Sequence, residues 1–404
     1  KDSALFQADA GCEDVDAIFF DADNDGDQDL YVCSGGNEVD GRAPQLLDRL
    51  YLNDGNGNFI KSTNNLPAIY NNKSSVAVAD VDHDGDSDLF IGVLANSNNY
   101  GIPQTSYLLM NNGKAHFSVA DKSIIDLDNI GMITSAKFTD LNNDGWQDLI
   151  VAGEWMPVTI FMNDNGKFKK QTNNLPTGLW QNLYITDING DGYPDIVAGN
   201  YGLNSKLMAP LKLYVKDIDG NGTIDQLLTY TKNDTECTFL GKDELEKQLP
   251  FIRKEYLQYS AFASKSFHEI WDKYLDNALV LKADDLASSV FINDKKANFT
   301  SRSLPAVMQY TPLSTFISTN INDKSALIGG GNFFGVLPYE GKYDALALTF
   351  CFTDKNIIVA PESLPKEFLK VNGEARDLKL LHTANGDILM VARNNNKPVF
   401  FRLN

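Results

Sequence analysis

The stretch AIFFDADNDGDQDLYVCSGG at residues 17–36 decides the fold. Its centre, Asp21 to Asp29, sets acidic side chains at every odd position and Gly26 at the sixth, where a sharp bend needs a residue without Cβ. AIFF before it and LYV after it are short apolar runs of the kind strands use, so the acidic run is a loop joining two strands. The arrangement returns as DVDHDGDSD at 80–88, DLNNDGWQD at 140–148, DINGDGYPD at 187–195 and DIDGNGTID at 217–225. The starts at 21, 80, 140, 187 and 217 stand 59, 60, 47 and 30 residues apart, so the chain is built from repeats whose last interval is irregular.

A second element keeps step with the first. RLYLNDGNGNF ends at Phe59, YLLMNNGKAHF at Phe117, TIFMNDNGKF at Phe168 and SVFINDKKANF at Phe299, each built around an Asn-rich hairpin turn. Two hairpins in about 45 to 60 residues make a four-stranded unit of β-propeller size. The fold class is therefore all-β, a single propeller over residues 1–404, with seven blades favoured and six the alternative. Residues 241–288 break the pattern, because DELEKQLPFIRKEYLQYSAFASKSFHEIWDKYL lacks alternation and carries helix formers around Pro250. This is a helical insertion. LKLYVKDIDGNGTIDQLLTYT fits either an outer hairpin of the fourth unit or the inner hairpin of a fifth. The opening ALFQADA reads as a strand, so the N- and C-terminal strands are expected to close one blade together.

Oxygen ligands at positions one, three, five and nine, with a carbonyl at seven, suit a hard cation such as calcium. Asp21, Asp23, Asp25 and Asp29 supply four carboxylates, as do Asp80, Asp82, Asp84 and Asp88. The later loops use Asp140, Asn142, Asp144 and Asp148; Asp187, Asn189, Asp191 and Asp195; and Asp217, Asp219, Asn221 and Asp225. Position seven varies through Asp27, Asp86, Trp146, Tyr193 and Thr223, which is expected if only its backbone coordinates. Position twelve holds Val32, Ile91, Val151, Ala198 and Leu228 instead of the bidentate Glu of an EF-hand. Up to five Ca2+ sites follow.

The chain carries 35 Lys and Arg against 54 Asp and Glu, a formal charge of −19 that repels nucleic acid and anionic lipid. Five divalent ions would add +10 and leave −9, so part of the acidity is ligand. No run is long and apolar enough for a transmembrane helix. KDSALFQADAG lacks a leader, so the chain reads as mature or excised. The four cysteines, at 12, 33, 237 and 351, show no metal spacing and leave their pairing open.

These motifs resemble a known family. DADNDGDQDL before an apolar strand, followed by LYLNDGNGNF, is similar to the FG-GAP or VCBS repeat of integrin α-subunit propellers and of many bacterial extracellular proteins. With DELEKQLP and the closing GNFFGVLPYEGKYDA, the chain resembles the C-terminal repeat region of large secreted or surface FG-GAP proteins of Bacteroidetes. The resemblance implies a propeller, calcium in the loops and an extracytoplasmic address: secreted, or at the cell surface or outer membrane through a lipid anchor upstream.

No GxSxG, HExxH, P-loop or dinucleotide motif is present, and the four histidines, His83, His116, His268 and His382, are isolated. A non-catalytic interaction module is expected, with a polysaccharide-active lyase or glycosidase as the alternative. If the acidic loops share one face, the connections after each second strand share the other. Asn37, Asn96, Glu154, Asn200 and Asn332 recur at those strand ends, and Tyr100, Trp155, Tyr201, Phe333 and Tyr339 lie on the same connections. These ten residues are the candidate surface for a protein or glycan partner.

Overall fold

The computed structural model describes residues 3–321, 324–336, 341–354, 357–384 and 386–402. A short helix, α1 (Ser3–Gln7), precedes the first sheet, which runs β1 (Glu13–Phe20), β2 (Asp29–Gly35), β3 (Arg49–Asn53), β4 (Phe59–Lys61) in order. The second sheet repeats it with β5 (Asn72–Ala79), β6 (Asp88–Ala95), β7 (Tyr107–Met110) and β8 (Ser118–Val119). The third has β9 (Met132–Thr139), β10 (Asp148–Pro157), β11 (Thr159–Asp164) and β12 (Lys167–Lys170), with β13 (Thr177–Leu179) paired to the far half of β10. The fourth opens with β14 (Asn182–Thr186) and β15 (Asp195–Gly199), after which the chain departs.

That departure is a subdomain of its own. It holds β16 (Leu211–Lys216), β17 (Asp225–Lys232), β18 (Thr235–Thr238), four helices, α2 (Lys242–Gln248), α3 (Phe251–Glu255), α4 (Tyr259–Ala263) and α5 (Phe267–Trp271), and β19 (Leu279–Ala283). The strands pair in the order β18-β17-β16-β19. The chain then returns to finish the fourth sheet with β20 (Ser289–Asn293) and β21 (Phe299–Ser303). The fifth sheet is β22 (Leu313–Ile321), β23 (Lys324–Gly331), β24 (Leu348–Asp354) and β25 (Ile357–Val359), and the sixth is β26 (Ala375–Thr383), β27 (Gly386–Arg393) and β28 (Asn396–Arg402).

Seven sheets result, but six radiate from the axis. An axial cavity of about 770 Å3 takes Asp16, Ser75, Ser135, Asn182, Thr315 and Asp377 from the innermost strands β1, β5, β9, β14, β22 and β26. The seventh sheet is the insertion, which lies outside the ring and was the source of the extra unit in the sequence count. Its loop at 217–225 belongs neither to the fourth unit nor to a fifth blade. The helices fall where expected, within 241–288, yet the inserted unit begins some forty residues earlier. Its sheet is two-sided: Leu211, Leu213 and Val215 pack toward the propeller, while Tyr214 and Leu227 pack against Leu245, Ile252 and Trp271 of the helices.

The termini do not share a blade among the described residues. Ser3–Gln7 is helical, and Phe6 seats its ring 5.1 Å from Tyr51 and 6.3 Å from Phe59 on the first sheet. The sixth sheet stays three-stranded.

In the second, third and fourth sheets one asparagine of the outer hairpin locks the sheet to the one before it. Asn111, Asn163 and Asn293 each donate Nδ2 to the second-position carbonyl of the preceding acidic loop, at Ala22 (2.9 Å), Val81 (2.8 Å) and Leu141 (2.8 Å). The same amides reach the eighth-position carbonyls of their own loops, Ser87, Gln147 and Pro194. Their backbone N–H groups donate to the ninth-position carboxylates Asp88, Asp148 and Asp195, each at 2.8 Å. Asn53 bonds Gln28 and Asp29 of its own acidic loop and accepts from the Gly57 N–H of its hairpin. Asn163→Ala strands two buried carbonyls and the Gly166 N–H that its Oδ1 accepts, and each stranded group costs about 1 to 3 kcal/mol. We expect a loss of roughly 2 kcal/mol or more for Asn163→Ala and clearly less for Asn53→Ala in chemical denaturation. Equal losses would show that the reach between sheets contributes nothing.

Candidate functional site

The acidic loops share one internal geometry. The sixth glycine donates its N–H to the first aspartate in all five, Gly26 to Asp21 at 3.0 Å, Gly85 to Asp80 at 3.1 Å, Gly145 to Asp140 at 2.7 Å, Gly192 to Asp187 at 2.8 Å and Gly222 to Asp217 at 2.9 Å. Those glycines have φ between 88° and 95°, where a Cβ would be strained. The fifth side chains Asp25, Asp84, Asp144, Asp191 and Asn221 accept from the N–H two residues on, at Asp27, Asp86, Trp146, Tyr193 and Thr223. The ninth aspartate is buried and accepts from the second-position N–H in every loop.

What remains is a set of converging oxygens. Asp21, Asp23 and Asp29 bring ligand atoms within 4.8 Å of one another, as do Asp80, Asp82, Asp88 and Asp217, Asp219, Asp225. Asn142 and Asn189 take the third position in the other two loops, and the Asn142 amide donates to Asp144 at 2.8 Å. The fit to a cation rests on stranded atoms: Oδ1 of Asp21, Asp23 and Asp27 in the first loop, and Oδ1 of Asp80 in the second, are buried with no donor. A carboxylate oxygen removed from water without a donor is costly unless a cation meets it. Asp27, at position seven, adds a side-chain oxygen to the first loop's stranded set, beside the backbone carbonyl that the sequence assigns there. In the second loop Asp86 Oδ1 is instead held by Asn24 Nδ2 at 2.6 Å.

Burial, aided by the crowded carboxylates, pushes Asp88 up to about 7 and Asp148 up to about 6. Asp23, Asp29, Asp82, Asp195 and Asp225 move up for the same first cause. A bound dication reverses this by favouring the charged form.

The opposite face is partly covered. The inserted sheet lies over it, so Trp155, 9% exposed, is buried among Leu179, Leu211, Leu213 and Val215 instead of being presented to solvent. Its Nε1 donates to Tyr100 Oη at 2.8 Å, and Tyr100 Oη donates to Glu154, whose carboxyl is pushed up by burial. Asn200 is buried and donates to Asp285 O at 3.0 Å, and Asn332 is buried between Thr311 and Gly373. Tyr201 packs edge-on to Phe333 at 5.8 Å. Asn37 and Asn96 are exposed, the first accepting from Asn72 and the second from the Asn98 N–H. Tyr339 lies outside the described residues. The nine described candidates thus divide into seven buried or half-buried residues, among them Tyr100, Trp155 and Tyr201 packed with the inserted sheet, and the exposed Asn37 and Asn96 near the first two sheets.

Two features of this face had no sequence signal. Glu13 and Glu38 are hydrogen-bonded to each other at the axial end of β1, with Glu13 held up and Glu38 held down by that contact. A cleft of about 290 Å3 between the first two sheets is lined by Asp40, Tyr70, Asn71, Asn96, Ser97 and Asn98 among others.

A family model described as FG-GAP-like repeat matches residues 21–91 and 140–198. No curated protein sequence matches the chain. Among solved structures, the V. cholerae biofilm matrix protein Bap1 is similar over 94% of this chain and 74% of its own, at 10% identity and a TM-score of 0.34. Trypanosoma rangeli sialidase, in complex with the inhibitor DANA, is similar over 97% of this chain and 55% of its own, at 10% identity and a TM-score of 0.40. An ancestral GH74 enzyme is similar over 96% of this chain and 42% of its own, at 11% identity and a TM-score of 0.26. No helix among the described residues is long and apolar enough to cross a membrane.

Two outcomes follow from this geometry. Because the raised carboxyls hold protons in the folded state that the unfolded chain has released, their contribution in chelator is complete below about pH 4. It is lost as pH rises toward 7. Chelated protein should therefore melt lower at pH 7.5 than at pH 5, and added calcium should reverse the order; a chelator-insensitive melting temperature at both pH values would overturn the cation reading. Trp155→Ala should cost about 3 kcal/mol or more through the cavity left under the inserted sheet, measured by denaturation. A wild-type midpoint would mean that the sheet does not rest on this ring.

Proposed function

We propose that this chain is a calcium-stabilised, non-catalytic interaction module of an extracytoplasmic surface assembly, binding protein or glycan through the face opposite the acidic loops. Extracellular calcium modules bind the ion with Kd of about 10⁻⁴ to 10⁻³ M, an affinity suited to surface loops of this kind. The observation that carries the reading is the separation of chemistry between two faces. The converging and stranded carboxylate oxygens all lie in the hairpin bends, whereas the far ends of the same strands open an amide-rich cleft.

That cleft is shaped for contact. Asn98 Nδ2 is fixed on Asp40 at 2.7 Å and Asn71 Oδ1 accepts from Tyr107 at 3.1 Å. The Tyr70 ring and the Asn71 and Asn96 amides present flat hydrogen-bonding surface beside the Asp40 carboxylate that a hydroxyl-rich or peptide ligand can use. Tyr70 replaces Trp155 as the anchor, because Trp155 is already used in holding the insertion.

A polysaccharide-active enzyme is the second reading, for which Glu13 and Glu38 are the candidate carboxyls, although their mutual hydrogen bond sets them closer than the separation of about 5 to 9 Å that glycoside hydrolysis uses. Glu13→Gln should abolish turnover of a polysaccharide if that reading holds.

The test of the first reading is a glycan array run beside pull-down from a native envelope, with Tyr70→Ala/Asn96→Ala as the variant. Binding should fall at least about tenfold, as for an anchor residue, while calcium content and melting temperature stay at wild-type values. Turnover of a polysaccharide, or a partner seated on the acidic loops, would replace the proposal.

A further inference from the structure

We infer that the acidic loops are coupled in series, the fourth residue of one loop positioning the seventh-residue region of the next, so that filling one loop strengthens the neighbour. This rests on the calcium reading above. Three successive contacts carry it. Asn24, fourth in the first loop, donates to Asp86 Oδ1, seventh in the second, at 2.6 Å. His83, fourth in the second loop, stacks on Trp146, seventh in the third, with ring centroids 3.9 Å apart and planes 11° from parallel. Asn143, fourth in the third loop, donates to the Gly192 carbonyl, sixth in the fourth loop, at 3.3 Å.

The backbone makes these contacts conditional on loop shape. Asn24, His83 and Asn143 have φ of 62°, 61° and 57°, a left-handed conformation uncommon outside glycine but more accessible to Asn and His than to most, and it recurs at the fourth position of all three loops. The loop imposes it by folding round its own carboxylates, so a loop relaxed by mutual carboxylate repulsion withdraws the side chain its neighbour rests on. The receiving residue sits where it matters. Trp146 donates its N–H to Asp144 at 2.9 Å, so the indole that His83 covers is attached to the part of the third loop that closes on a cation. His83 is thus a positioning residue for the third loop while remaining outside the ligand set of the second. Coupling of this kind is reciprocal.

The full-length chain supplies its own reporter. Trp146 is the one tryptophan of four within an acidic loop, so terbium bound in the third loop is excited through it. His83→Ala should move the midpoint of the Trp146-sensitised terbium signal to about fivefold higher concentration, a typical coupling size, and His83→Phe, which keeps a ring on the indole, should restore it. Asp82→Ala, which disables the second loop, should shift the same midpoint, and adding His83→Ala to it should shift it no further. An unmoved midpoint in His83→Ala, failure of His83→Phe to restore it, or additive shifts in the double variant would each overturn the coupling. Calorimetry of the wild-type chain separates the two levels: normal calcium uptake with an unmoved midpoint removes the coupling alone, whereas no uptake removes the calcium reading with it.

Discussion

The outer-hairpin asparagine is the contact on which both the ring and the loops depend. Its amide bonds carbonyls at the second position of the preceding loop and the eighth position of its own, and its N–H holds the ninth carboxylate. Positions two, eight and nine are therefore fixed by protein groups. Positions one, three and, in the first loop, seven keep oxygens for something else. In the second, third and fourth sheets, packing on the preceding sheet and the shape of the acidic loop are thus tied to one side chain. In the insertion, where no outer asparagine exists, Gln248 of α2 donates to Asp225 at 3.3 Å and to Gln226 O at 3.2 Å. A helix there takes the place of a neighbouring strand.

The repeat units were legible because their signals are local. A loop with glycine sixth, flanked by apolar strands, depends on nothing distant, and the Asn-rich turns mark the second hairpin equally well. The insertion was half legible. Helix formers at 243–275 stood out, but LKLYVK and DQLLTYTK have the same alternation as a blade strand, since a two-sided sheet buries alternate residues wherever it sits. The count of seven followed from that ambiguity.

Trp155 shows the limit in physical terms. The sequence places it just past a strand end, whereas it lies within β10 at the irregularity opposite β13, and whether its ring meets solvent depends on a sheet encoded some sixty residues later. Long-range covering of this kind leaves no periodic trace. The asparagines in LLMNN, IFMND and VFIND are visible in the sequence, but as turn formers; their reach to the preceding loop is a tertiary fact. Tyr70 and Glu38, on irregular connections, carried no pattern at all.

The interruption of the fourth sheet sets the order in which the molecule can assemble. Sheets one, two, three, five and six each close from a continuous stretch. In contrast, β15 must wait for β20 across residues 200–288. The entropic cost of joining ends so far apart rises only logarithmically with length, but pairings of high sequence separation form late. An insertion that first folds on its own hydrophobic cluster brings those ends together and shortens the effective closure. Ring completion is then gated by a unit outside the ring, so a lesion in the helices would register as slow closure of a blade they do not touch.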